Sequence, residues 1–159
     1  MIMKYKKTLL FFSHLIVLLG GFALGVYFLP ILTAPKSLEI SKIDEFQKEA
    51  LYKTEFVKDL RGSDLLHWGE AEVTISNQII TVKGSIAPGP DYQLYLTKEF
   101  VEHEDEFLAI KNEARYIAEV KSFKNFAINI AADININDYN TIVIWCESFE
   151  EFITAAKYQ

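Results

Sequence analysis

The chain has 159 residues, half of them hydrophobic and 14% aromatic, with a formal net charge of −6. An acidic chain repels phosphate backbones, which argues against nucleic-acid binding, and its aromatic content and scattered charges exclude a disordered acidic tail. Setting aside the apolar N-terminal segment, the remainder suits one domain with one core.

That segment runs from Leu9 to Leu32, behind Lys4, Lys6 and Lys7. Sixteen of its 24 residues are Leu, Ile, Phe or Val, each favouring insertion by ~0.3–0.6 kcal/mol near a helix centre. A span needs only ~20 such residues. Residues 1–35 therefore read as a cytoplasmic tip and a single-pass transmembrane anchor, in contact with the lipid bilayer through residues 9–32. The lysines lie ahead of the run, with only Lys36 just behind it, so the expected orientation is N-terminus cytoplasmic and C-terminal part extracytoplasmic, in the cell membrane. On that topology the exterior part carries 13 basic against 22 acidic residues, a net charge of −9. His14 sits where its ring reaches the interface, and Gly21-x-x-x-Gly25 matches the small-residue pattern of paired membrane helices. The rival reading is a cleaved signal peptide, with Ala23-Leu24-Gly25 as its cleavage site. The apolar run continues through Val26 to Leu32, which favours the retained anchor.

Residues 36–61 read as a short helical stalk. Ile43, Phe46, Ala50, Val57 and Leu60 recur at helical steps, and Arg61-Gly62 supplies a stop. A coiled-coil dimer is the alternative, although Lys53 occupies a seam position.

From Gly62 the period changes to two. Ala71, Val73 and Ile75 alternate with polar residues and mark a half-buried strand. Ser76-Asn77-Gln78 is a turn, and Ile79–Ile86 a second strand. Ala87-Pro88-Gly89-Pro90-Asp91 is a tight loop, because two prolines fix the chain and remove donors. Tyr92–Thr97 is a third strand and Lys98–Asn112 an acidic, irregular connection. Arg115–Val120 and Phe123–Ile130 are strands, and Ala131–Asn140 is loop. Thr141–Cys146 is a β-branched apolar run, expected of a central strand buried on both faces. Phe149–Ala156 closes the chain as a strand or short helix. Seven or so short strands at regular spacing indicate an all-β fold, an antiparallel β-sandwich over residues 62–159 preceded by the transmembrane helix and stalk.

Two segments together carry a resemblance: Gly89-Pro90-Asp91 with Leu94-Tyr95-Leu96, and Tyr139-Asn140-Thr141-Ile142-Val143-Ile144-Trp145-Cys146 with Phe149 and Ala155-Ala156. With His67 and Gly69-Glu70-Ala71 ahead of them, the order resembles the DM-thirteen domain family, an extracellular module found beside DOMON domains. The resemblance covers roughly residues 56–158. It implies a β-sandwich and a proposed electron-transfer role through the cysteine that corresponds to Cys146. The chain departs from the family at two turns: Val120-Lys121-Ser122 lacks the usual glycine, and Ala131-Ala132 replaces an expected proline.

Cys146 is the single cysteine, so no internal disulfide forms. Three roles stand open: a buried core residue, an interchain disulfide, or redox chemistry. Burial in apolar surroundings raises a thiol pKa, so thiolate chemistry needs a cation that only folding can bring near; Arg115, Lys121 and His67 are the candidates. Trp145 is the aromatic neighbour for one-electron transfer, but adjacent strand residues point to opposite faces. His67 and Asp91 are supporting candidates through the resemblance. On the residues alone, His67 makes a local hydrogen bond and Asp91 bonds within its own loop.

No metal set is expected. Asp133 to Asp138 spaces oxygens like a calcium loop, but its sixth place is Asp138 and its twelfth Ile144, where glycine and glutamate belong. The carboxylates around His103 read as a solvated loop. No cofactor pocket, nucleophile–base set or P-loop is evident, and an enzyme is not expected. The expected function is a membrane-anchored extracytoplasmic domain with an accessory redox role through Cys146, working with a cell-envelope protein partner that supplies the cofactor. The alternative is a non-catalytic interaction or adhesion module whose cysteine only fills the core.

Overall fold

The computed structural model describes residues 2–159, with side chains from Tyr5 onward, so the side chain of Lys4 lies outside the described residues. The apolar run forms helix α1, Ile2–Thr33, which is long and apolar enough to cross a membrane. His14 Nδ1 lies 2.8 Å from the carbonyl of Leu10, satisfied within its own helix. Pro30 stands in the last turn, where one missing backbone bond does not break the helix.

A helix continues after α1 only as α2, Ile40–Gln47, and β1 follows at Tyr52–Phe56. This corrects the expected helix over 36–61. Tyr52, Thr54 and Phe56 alternate with the exposed Lys53 and Glu55, so period two governs here. Phe56, 2% exposed, is part of the main core. The apparent helical repeat through Ala50 and Val57 spanned two elements. The part that is helical docks on the domain: Ile43 is fully buried, and Lys83 Nζ sits 2.6 Å from Asp44.

Seven more strands follow β1, and every hydrogen-bonded pair is antiparallel: β2 Gly69–Ile75, β3 Ile79–Ile86, β4 Tyr92–Thr97, β5 Arg115–Val120, β6 Lys124–Asn129, β7 Thr141–Cys146 and β8 Glu151–Lys157. One sheet has the order β1-β2-β3-β6 and the other β5-β4-β7-β8. The expected all-β antiparallel sandwich with an N-terminal apolar helix is the observed fold, and Phe149–Ala156 resolves as strand rather than helix. Val73, Ile75, Ile80, Val82 and Ile128 of the first sheet pack against Leu94, Leu96, Ile142, Ile144 and Ile153 of the second. Each such side chain contributes ~1.5–3 kcal/mol when buried.

Gly84 holds a φ of +146° at an irregularity in β3. A Cβ there would meet the carbonyl of Glu70, so only glycine fits. Asn125 Oδ1 accepts from its amide at 2.9 Å.

The connection expected to be irregular over Lys98–Asn112 contains helix α3, Glu104–Ile110. Glu104, Asp105 and Glu106 occupy its first turn, where negative charge meets the positive end of the helix dipole. Glu106 also accepts from the Glu102 amide at 2.9 Å and pairs with Arg61. The acidic cluster thus starts a helix, and Phe107 from that helix is fully buried in a second core with Val143, Trp145, Phe152 and Ala155 on the outer face of the β7–β8 pair. Strand β7 is consequently buried on both faces along its whole length.

Candidate functional site

Cys146 ends β7, facing the core between the sheets, and is 2% exposed. Tyr92, at the start of β4, is its direct cross-strand partner. The Gly89-Pro90 loop precedes Tyr92 and folds over it: a Cβ on Gly89 would run into the Tyr92 ring. Tyr92 also meets Phe123 edge to face at 5.9 Å, an arrangement aromatic pairs favour.

Beside this packing lies a cavity of about 290 Å³. Cys146 and Tyr92 line it with Pro88, Gly89 and Pro90 above, and His67, Leu66 and Phe149 at the side. Ala23, Val26 and Tyr27 of α1, with Glu151 and Ile153 of β8, complete the wall. The two signature segments and His67, dispersed over some eighty residues, meet here.

His67 is fixed by the loop before β2. Asp64 Oδ1 accepts from the amides of Leu66 and His67 at 2.6 and 2.8 Å, and its other oxygen lies 3.1 Å from His67 Nδ1. Burial pushes the Asp64 carboxyl up, but the two amides and the His67 ring outweigh it and hold it below its usual value. Asp64 is therefore an anion at neutral pH.

Asp91 does more than brace its own loop. Its carboxylate accepts from Gln93 Nε2 at 3.0 Å and from Ser148 Oγ at 2.6 Å. Its carbonyl accepts from the Glu147 amide at 2.9 Å. Asp91 thus ties the Gly-Pro-Asp loop to the residues just after Cys146.

Burial pushes the Cys146 thiol above its ordinary value of 9.0, and the backbone amides of Phe149, Asp91 and Ser148 offset this only in part. The Asp91 charge adds to the rise. The thiol is neutral at physiological pH, which removes it from the class of activated thiolates. Of Arg115, Lys121 and His67, His67 alone shares its cavity. Arg115 pairs with Asp133 at 2.6 Å and Lys121 with Glu119 at 2.9 Å.

Trp145 lies on the other side of the sheet, fully buried in the second core, with its ring 4.8 Å from Phe107. Lys111 Nζ stands 5.4 Å over the indole and 2.5 Å from Glu147, which also receives the Tyr95 hydroxyl. Among the described residues Trp145 Nε1 has no hydrogen-bond partner. Tyr92, Leu66, Phe149 and the Tyr95–Glu147–Lys111 group were not visible as site residues in the sequence. Only the register of β4 on β7 reveals Tyr92. Among the described residues no group of three or more His, Cys, Asp or Glu side chains is placed to hold a metal ion.

No curated protein and no solved structure matches the chain. The family model described as Electron transfer DM13 matches residues 55–158, from within β1 to one residue past β8. The chain belongs to the DM13 electron-transfer family.

Proposed function

We propose that this chain is a single-pass membrane protein, N-terminus cytoplasmic and sandwich outside, whose domain serves as an accessory in electron transfer through Cys146. The observation that carries this reading is the convergence of the Gly89-Pro90 loop, Cys146 and His67 on one cavity. Because the thiol is protonated, the step is one of neutral thiol. Cys146 gives one electron to an oxidised cofactor held by a protein partner and its proton to a base, leaving a thiyl radical; the reverse transfer restores the thiol. His67 is the base. With Nδ1 engaged by the anionic Asp64, Nε2 is the nitrogen that takes the proton. Trp145, bonded to Cys146 through the chain, is a second redox-capable ring, reached from the α3 side.

A second reading is favoured by the thiol's 2% exposure and its place in the main core: an interaction or adhesion module in which Cys146 only packs. The two separate in one experiment. Full-length protein is used to capture its partner from native membranes, and reduction of the partner's cofactor is followed by absorbance. Cys146→Ser, shown to fold by circular dichroism, lowers the rate at least tenfold if the thiol relays the electron. An unchanged rate overturns the redox reading and leaves the interaction module.

A further inference from the structure

We infer that the sandwich is seated in the bilayer surface on an apolar rim made by Leu65, Leu66 and Phe149, and does not stand clear of the membrane. This rests on the reading of α1 as the anchor. The three side chains are 94%, 55% and 56% exposed, at the two loops that flank the Cys146 cavity. Large apolar side chains grouped this way on an otherwise acidic domain mark a contact surface.

The position of α1 identifies what covers them. Leu66 and Phe149 wall the same cavity as Ala23, Val26 and Tyr27. Ala23 is ten residues before the end of α1 at Thr33, a rise of about 15 Å. It lies inside the Leu9–Leu32 apolar run, at a level where a spanning helix is in contact with lipid. A rim packed beside the helix at that level is at or below the membrane surface; Leu66 and Phe149 present apolar side chains there, while His67 and Glu151 line the cavity with them. The tether leaves little freedom: six residues join α1 to α2, and within them the Leu38 amide is bonded to the Asn125 carbonyl at 2.8 Å. On the far side, Pro30 and Thr33 share a second cavity with Gly89 and Pro90.

Trp68 borders the same loop as Leu65, with Lys58 Nζ 4.6 Å over its ring. An amphipathic ring beside a lysine is the composition found at membrane interfaces. The acidic exterior selects against anionic headgroups, so the occupant is a neutral, zwitterionic lipid surface. The Cys146 cavity then opens at the edge of the acyl region.

The test uses the full chain in phosphatidylcholine nanodiscs whose acyl chains carry bromine, which quenches tryptophan on contact. In a Trp68→Phe background three variants are compared: Leu19→Trp within α1, Leu65→Trp on the rim, and Leu108→Trp, exposed on α3. The buried Trp145 is a constant background. The expected result is strong quenching of L19W and at least twofold more quenching of L65W than of L108W. If L19W is quenched while L65W matches L108W, the seating is overturned and the anchor stands. If L19W is not quenched, the anchor and the seating fall together. A blue-shifted but unquenched L65W means that protein covers the rim, which also overturns the inference.

Discussion

The buried thiol makes a prediction about stability against pH whose sign follows from its environment. Cys146 holds its proton more tightly folded than unfolded, because burial pushes it above 9.0. Below pH 9 both states keep the proton, and the full stability is present. As the pH rises past 9 the unfolded thiol ionises first, and stability is lost until the folded thiol ionises as well. The loss runs at up to ~1.4 kcal/mol per pH unit for one group. The window is narrow, since Tyr92, Tyr95 and Tyr158 are also pushed above their ordinary 10.0, chiefly by burial, and add their own loss above that pH. The measurement is urea unfolding of the full chain in nanodiscs, followed by tryptophan fluorescence at intervals from pH 8 to 10. Wild type loses up to ~1.4 kcal/mol between pH 9 and 10 that Cys146→Ser retains, whatever constant offset the serine introduces. In the same samples maleimide labelling is slow at pH 7.5, where less than about 3% of the thiol is ionised, and it climbs beyond pH 9. Parallel slopes for the two proteins, or rapid labelling at neutral pH in the folded state, would refute the argument that burial governs this thiol.

Three further outcomes follow from particular contacts. Gly89→Ala drives a methyl group into the Tyr92 ring; an overpacking cost of ~1–3 kcal/mol and faster labelling of Cys146 are expected, read by urea midpoint and maleimide kinetics. Phe107→Ala empties the centre of the second core and costs ~3–5 kcal/mol, measured by the same unfolding curve, with a shift in Trp145 emission because its nearest ring is gone. Lys111→Met removes the charge over the indole and the partner of Glu147. With both charged groups more than a quarter exposed, its stability cost stays near ~1 kcal/mol, and the change appears instead in Trp145 fluorescence.

The strands were legible where one periodicity acted alone. Ile79–Ile86, Tyr92–Thr97, Arg115–Val120 and Thr141–Cys146 lie within the residues whose alternation or β-branched run marked them. The reading failed where two periods met. Between Ala50 and Val57 a few apolar residues at helical spacing overlay the alternation of Tyr52, Thr54 and Phe56, and burial of Phe56 beneath the sheet decided the outcome. α3 was hidden for another reason: it spans seven residues with one fully buried side chain, too short for a periodic signal. Its charged first turn resembles a solvated loop until the helix dipole is considered. The cavity was legible only in part. Cys146 and His67 are candidates in the sequence, but Tyr92 joins them through strand register, which no local pattern encodes, and Asp91 ties the loop beside the cavity without lining it.

The split between Cys146 and Trp145 constrains any electron path through the domain. The two residues are consecutive on β7 yet belong to different cores. Cys146 faces the cavity beside α1, and Trp145 faces Phe107 and Lys111 beneath α3. On the proposed relay, a donor on the α3 side lies nearer the indole, which is buried beneath Phe107 and Lys111, and one on the α1 side lies nearer the thiol. The connection between them is the covalent chain itself, since a strand directs neighbouring side chains through opposite faces of the sheet. The central position of β7, hydrogen-bonded to β4 on one side and β8 on the other, holds that connection in one geometry. The relay proposed above needs no ring stacked on the sulfur. It needs a rigid strand buried on both faces, and the β-branched run ahead of Trp145 and Cys146 supplies one.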